Sequence, residues 1–173
     1  MRDKRSARAA AERGARLTRE DALALYEDND LLALGAWARA AKERASGRDG
    51  YYTVNRHINL TNICSANCPL CAFQVERGDA RGYIMETDDV ARILETARKT
   101  PRLTEIHIVS ALHPDRPFSY YESVVRQVRA ALPDADIKAF TPVEIVNFAK
   151  TEGRSVREIL TDLQAAGLSS LPG

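Results

Sequence analysis

Residues 64–71 read CSANCPLC and hold all three cysteines of the chain, Cys64, Cys68 and Cys71. Three thiols crowded into one stretch cannot all pair, so a disulfide framework does not account for them. Positions i, i+4 and i+7 share one face of a helix, and a buried cysteine stripe is one reading. Pro69 inside such a helix would remove a donor and clash with the preceding turn, while Asn62, Ser65 and Asn67 favour turns. The stretch therefore reads as a loop. A structural zinc site wants four ligands, so His57, His107 or His113 would have to complete one here. Three thiolates can instead hold three irons of a 4Fe–4S cluster and leave the fourth open, as a catalytic metal site requires.

The surrounding sequence is ordinary for a soluble α/β domain. In 173 residues it has 45% hydrophobic and 28% charged side chains and a net charge of +1. That balance gives no overall field to attract nucleic acid or a membrane surface. No run is long and apolar enough for a signal peptide or a membrane span. Neither partner is expected, and reduced thiols fit a cytoplasmic setting. Residues 1–16 are Arg-rich and read as a flexible basic arm. Residues 17–50 read as two helices, one capped by Thr18 and one running from Asp30 to Gly47 with Leu31, Leu34, Trp37 and Ala41 on a stripe.

From residue 51 strands and helices alternate. YYTVNRHINL (51–60), EIHIVSAL (105–112) and DIKAFT (136–141) read as strands, and LSSLPG (168–173) as the start of a fourth. Between them, Thr87 is expected to cap one helix. Ser119 with Glu122, Thr141 with Glu144, and Ser155 with Glu158 are expected to form capping boxes for three more. This order calls for parallel strands with right-handed crossovers. A closed eight-stranded barrel needs roughly 250 residues, so residues 51–173 read as the N-terminal part of a βα-barrel, with a complete small α/β domain of four strands as the alternative. Asn55, His57, Asn59 and Thr61 fall on one face of the first strand, Glu105 and His107 on one face of the second, and Lys138 and Phe140 on one face of the third. In a barrel that face would line the lumen.

C-x3-C-x2-C on a loop after the first strand resembles the radical SAM superfamily. NRHINLTNICSANCPLCAF, EIHIVSALHPDRPFSYYESVVRQVRAALPDADIKAFTPVEIVNFAK and LTDLQAAGLSSLPG are together similar to the aminofutalosine synthase family of the futalosine route to menaquinone. The resemblance covers roughly residues 17 to 173. It implies a partial TIM-like barrel in which Cys64, Cys68 and Cys71 ligate a 4Fe–4S cluster and S-adenosylmethionine (SAM) occupies the open iron. It further implies that the adenosyl radical adds to 3-[(1-carboxyvinyl)oxy]benzoate, with an electron donor such as flavodoxin or ferredoxin. Phe73 matches a position whose backbone approaches the adenine. Ser110 and Ala111 stand where many members carry the Gly-Gly pair that helps bind the methionyl amine, and Leu70 stands where many carry an aromatic residue. His113 is a catalytic candidate at the end of the second strand. Asn59, Thr61 and Lys138 are candidates for lining the substrate site. Sibling enzymes, a later-acting cyclase and a deazaflavin synthase subunit, tend to have Tyr where this chain has Gln74. A non-enzymatic zinc-binding module, or an inactive fragment whose missing strands held essential substrate contacts, is the reading from another class. Half a barrel leaves strand edges unpaired, so the isolated chain is expected to be poorly soluble or inactive.

Overall fold

The computed structural model describes residues 3–172; Met1, Arg2 and Gly173, which belong to the expected arm and fourth strand, lie outside the described residues. The chain divides into two compact units, Met1–Tyr52 and Thr53–Gly173.

Among the described residues, the first unit holds three helices, α1 (Lys4–Glu12), α2 (Arg19–Tyr26) and α3 (Leu31–Ser46). Residues 4–12, expected as part of a flexible arm, are helical because Asp3 caps the first turn and the run KRSARAAAE has high helix propensity. Arg8 then forms a two-point ion pair with Asp28 at 2.5 and 2.6 Å. Ala7, Ala24 and Leu25 make a small buried core, with Leu34 and Trp37 packed against it. Thr18 and Asp30 cap α2 and α3 as the sequence predicts, and Gly47 (φ 62°) ends α3.

The second unit is built on three parallel strands in the order β1 (Asn55–Ile58), β2 (Glu105–Ile108) and β3 (Asp136–Ala139). Asn55, Glu105 and Asp136 are in register, as are His57, His107 and Lys138 two residues further on. Four helices complete the unit: α4 (Thr87–Arg98), α5 (Phe118–Ala131), α6 (Pro142–Glu152) and α7 (Val156–Ala166). Ile58, Ile106, Ile108, Ile137 and Ala139 form the apolar strand face, buried against Val90 and Leu94 of α4, Val125 and Val128 of α5, and Ile159 and Leu163 of α7. The other strand face carries the histidines and charged residues.

The capping boxes of α6 (Thr141 and Glu144) and α7 (Ser155 and Glu158) form as predicted, and left-handed Gly153 and Gly167 end both helices. Two starts differ. The cap of α4 is Glu86, paired with Asp89, so Thr87 is already helical. α5 begins at Phe118 after Pro117, which places Ser119 and Glu122 inside the helix, where Glu122 pairs with Arg126 instead. Pro117 sets the earlier start by holding φ at −71° just before the first turn. The expected fourth strand begins beside β3: Ser169 N–H donates to Ile137 O at 2.8 Å and Ala139 N–H to Ser170 O at 3.0 Å. The second unit is therefore a partial βα-barrel with all its paired strands parallel, as the alternation predicts.

Leu163 is fully buried in this core. Leu163→Ala should lower the stability of the chain by about 2–5 kcal/mol, read as a fall in the midpoint of urea unfolding.

Candidate functional site

The register of the three strands brings their C-terminal ends to one level, and the loops leaving those ends meet there. The loop after β1 carries the cysteines. Its base is closed by Ile63 pairing with Val75: Val75 N–H donates to Asn62 O at 2.9 Å and Cys64 N–H to Val75 O at 3.1 Å. Asn62 anchors the segment leading to α4, donating through Nδ2 to Arg81 O and accepting from Tyr83 N–H. Ser65 fixes the loop to the end of β2, its N–H and hydroxyl both donating to Leu112 O. Asn67 turns the chain at φ 49°, a conformation asparagine tolerates better than most residues. Cys71 N–H donates to Cys68 O at 3.0 Å, and Gln74 Nε2 to the same carbonyl at 3.3 Å. The segment is a loop, not a helix, as its turn-forming residues predict.

All three cysteines line one cavity of about 400 Å3. Cys64 is half-buried and Cys68 and Cys71 are exposed, all as free thiols. His57 and Asn59 of β1 and its exit, Ser110 and Ala111 after β2, and Thr141 and Glu144 at the start of α6 line the same space. Phe73 borders it too, edge-on to Tyr83. Phe140 (φ 62°), between β3 and α6, is fully buried against Tyr121 and Phe148, and that anchored kink turns Thr141 and Glu144 toward the cavity. Glu144 is only 2% exposed. Its carboxylate accepts from Ser110 N–H at 2.9 Å and from the N–H and hydroxyl of Thr141, both at 2.8 Å. Burial pushes this carboxyl upward from the ordinary glutamate range, against the opposing hydrogen bonds from Thr141 and Ser110.

Below the cavity, on the lumen face, the rings of His57 and His107 stack with centroids 4.7 Å apart. Burial lowers the His107 pKa, and the neighbouring His57 adds to the effect. Lys138 is the third member of this row, and its ammonium lies 3.0 Å from Glu105.

Three of the sequence candidates lie elsewhere than expected. Thr61 is fully buried and does not line the cavity; its hydroxyl donates to Tyr83 O at 2.6 Å and it pairs with Ile84, beyond the end of β1 at Ile58. His113 is buried outside the cavity, its Nδ1 accepting from Asp115 N–H at 3.1 Å, so its ring closes the turn after β2. Burial lowers its pKa. Lys138 is bound to Glu105 and is not among the cavity residues. His57 lines the cavity from the lumen face where the alternation placed it, while Thr141 and Glu144 are cavity residues that sequence reasoning read only as a helix cap. Glu144 reads as a helix cap, but its place at the C-terminal end of a barrel strand was the available signal.

The donor set suits an iron–sulfur cluster. Among the described residues no three His, Cys, Asp or Glu side chains converge on a point where one metal ion could sit. The three thiols border one cavity, and a cluster takes one thiolate per iron.

No protein-family model matches the chain. It is 44% identical over 160 residues to an aminodeoxyfutalosine synthase of Streptomyces coelicolor, a match covering 92% of this chain and 41% of that protein. An aminodeoxyfutalosine synthase of Thermus thermophilus is 38% identical over 160 residues, 92% of this chain and 43% of that protein. An FO synthase of Nocardia farcinica is 38% identical over 152 residues, 88% of this chain and 18% of that protein. The chain thus spans about two fifths of the length of the aminodeoxyfutalosine synthases it resembles. Among solved structures, the FeFe-hydrogenase maturase HydG of Carboxydothermus hydrogenoformans superposes with a TM-score of 0.64 at 20% identity, over 96% of this chain and 46% of that one. Methylornithine synthase gives 0.62 at 14% identity, over 95% and 57%. The fold is that of part of a βα-barrel shared with these two structures, and the resemblance to aminodeoxyfutalosine synthases holds over most of the chain. No helix among the described residues is long and apolar enough to cross a membrane.

Because the folded chain raises the Glu144 pKa, it binds that proton more tightly than the unfolded chain does. The resulting stabilisation is complete below the ordinary glutamate pKa and is lost as pH rises through the raised one. The stability difference between wild type and Glu144→Gln should therefore shift against the wild type as pH is raised from about 4 toward 7. Urea unfolding of both proteins across that range measures it; a difference that is flat or changes the other way would contradict the assignment.

Proposed function

We propose that this chain supplies the cofactor-binding part of a radical SAM enzyme that makes aminodeoxyfutalosine. The reading rests on the meeting of Cys64, Cys68 and Cys71 around one cavity at the C-terminal ends of parallel strands. The 44% identity to a synthase of that name supports the choice of reaction. Gln74, where the sibling enzymes tend to have Tyr, points the same way.

When bound, a 4Fe–4S cluster held by Cys64, Cys68 and Cys71, with SAM at its open iron, supplies a 5′-deoxyadenosyl radical for addition to the enol-ether double bond of 3-[(1-carboxyvinyl)oxy]benzoate, the route to 6-amino-6-deoxyfutalosine in menaquinone synthesis. The chain's own part is to hold and orient. The closed base at Ile63 and Val75 and the anchor of Ser65 on Leu112 constrain the loop before any ligand arrives, which spares the cost of ordering it on binding. Phe73, Ser110 and Ala111 border the space beside the thiols and are the proposed SAM contacts. Asn59 and His57 offer hydrogen-bonding groups from the lumen side. Lys138, already paired with Glu105, is a substrate-carboxylate partner only by sharing its charge. His113, closing a turn, is proposed to shape the loop after β2 and not to touch reacting atoms. An electron donor such as flavodoxin or ferredoxin and a cytoplasmic setting complete the proposal.

Two outcomes test it. Cys68 is exposed and its thiol makes no packing contribution to the core, so Cys68→Ala should retain the wild-type circular dichroism spectrum while losing reconstituted iron and sulfide. An unchanged iron content would remove Cys68 from the ligand set. Second, the reconstituted and reduced protein, as this chain or as the longer protein carrying it, should convert 3-[(1-carboxyvinyl)oxy]benzoate and SAM to 6-amino-6-deoxyfutalosine, followed by mass spectrometry. SAM cleavage in the longer protein without that product would overturn the choice of substrate.

A further inference from the structure

The lumen face below the cysteine cavity holds two imidazoles whose nitrogens are unspent. His57 and His107 are in register on neighbouring strands, and their rings stack at 12° with centroids 4.7 Å apart. Stacking occupies ring faces and leaves the ring nitrogens to be met at the edges. Among the described residues neither ring makes a hydrogen bond, and His107 Nε2 is buried with no partner. A buried nitrogen left so is uncommon, and two apolar side chains would pack on this face without it. The arrangement keeps one imidazole, the half-buried His107, as a plate behind an exposed one, His57.

The rest of the row limits what His57 can meet. Lys138 is level with His107 on β3, but its ammonium is held 3.0 Å from Glu105, two residues back along β2. Those two charges cancel, so the row gains net charge only when an imidazole takes up a proton, and that charge is positive. Burial and the neighbouring His57 both hold the His107 pKa down, which leaves the charge to His57. His57 also borders the cavity of about 400 Å3 that the cysteines line, so the row opens at this ring to whatever enters that space. The titratable groups around it are His107, Lys138 and Glu105 along the row, with Glu144 and the three cysteines in the cavity wall. Glu144 is committed to Thr141 and Ser110, and in the reading above the cysteines hold iron.

We propose that His57 binds a carboxylate group in the lumen, with its ring held in place by His107. The occupant is one carboxylate of 3-[(1-carboxyvinyl)oxy]benzoate, an identity that rests on the aminodeoxyfutalosine reading above. A protonated imidazole donates to a carboxylate through a charge-assisted hydrogen bond, and a carboxylate at that distance in turn favours the protonated ring. His57 is the residue that meets the ligand, and His107 is a positioning residue that acts through it.

The test titrates this chain with benzoate, and with benzamide as its uncharged counterpart. The chain has three histidines, so their ring nitrogens are followed one by one by 15N NMR. Benzoate should move the His57 signals toward the imidazolium pattern and leave those of His113, outside the cavity, in place. Its affinity should rise as pH falls from about 8 to 6, where histidine charges and a carboxylate stays ionised. His57→Gln should weaken benzoate by about 10- to 100-fold, the range for a charge-assisted hydrogen bond, and abolish the pH dependence. Benzamide should bind the wild type more weakly than benzoate by a similar factor. His107→Ala should weaken benzoate, and His107→Phe, which keeps a flat ring, should restore it; equal loss in both would remove His107 from the positioning role. If benzoate does not bind the folded wild type, if benzamide binds as tightly, or if His57→Gln keeps the affinity and its pH dependence, the site is overturned. If benzoate binds as expected and 3-[(1-carboxyvinyl)oxy]benzoate does not displace it, the occupant and the reading it rests on are overturned while the carboxylate site stands.

Discussion

The parallel register of three four-residue strands is the constraint on which the rest of the second unit depends. With Asn55, Glu105 and Asp136 level at one end, the strands finish together at the other. Their exit loops are forced into one neighbourhood. Parallel strands also need crossover helices, and those helices can cover only one face when the connections share a hand. Ile58, Ile106, Ile108 and Ile137 take that face. His57, His107, Glu105 and Lys138 are left to the other, where they satisfy one another by stacking and ion pairing.

A cysteine loop with no regular structure would by itself be a poor scaffold for chemistry, because each ligand that binds it would bear the cost of ordering it. Here that cost is met by backbone bonds at the loop base, by the Asn62 side chain and by Ser65 reaching across to the β2 exit. The exposed tip, where Leu70 stands fully in solvent between two cysteines, is left without such ties. Rigidity is concentrated where the loop joins the sheet. The same division recurs at α6: Phe140 adopts a left-handed conformation while buried among Tyr121 and Phe148, and the helix start it redirects carries Glu144 into the cavity.

Much of this was legible in residue order alone. The three-cysteine spacing, broken by Pro69 and turn formers, was enough to exclude a helix, and the alternation along 55–61 and 105–108 marked the polar lumen face. Capping chemistry located α6 and α7 because Thr141-Pro142 and Ser155 are local signals that need no tertiary context. The features that local signals missed depend on packing. α1 is stabilised partly by Arg8 meeting Asp28, twenty residues away. Thr61 continues the polar alternation of the first strand, but the strand stops three residues earlier, and its hydroxyl turns to the Tyr83 carbonyl. His113 sits at a strand end where function is common, and geometry gives its nitrogen to a turn. Glu144 is the converse: its sequence context is fully explained by capping, and only burial sets it apart from Glu158.

The proposed open iron site is tested most directly by anaerobic iron–sulfide reconstitution followed by electron paramagnetic resonance of the dithionite-reduced protein, with and without SAM. A reduced 4Fe–4S signal that changes when SAM is added is the expected result, because a cluster held by three thiolates would leave its fourth iron open to SAM. A folded protein that takes up one zinc ion tightly and never assembles a cluster would contradict it.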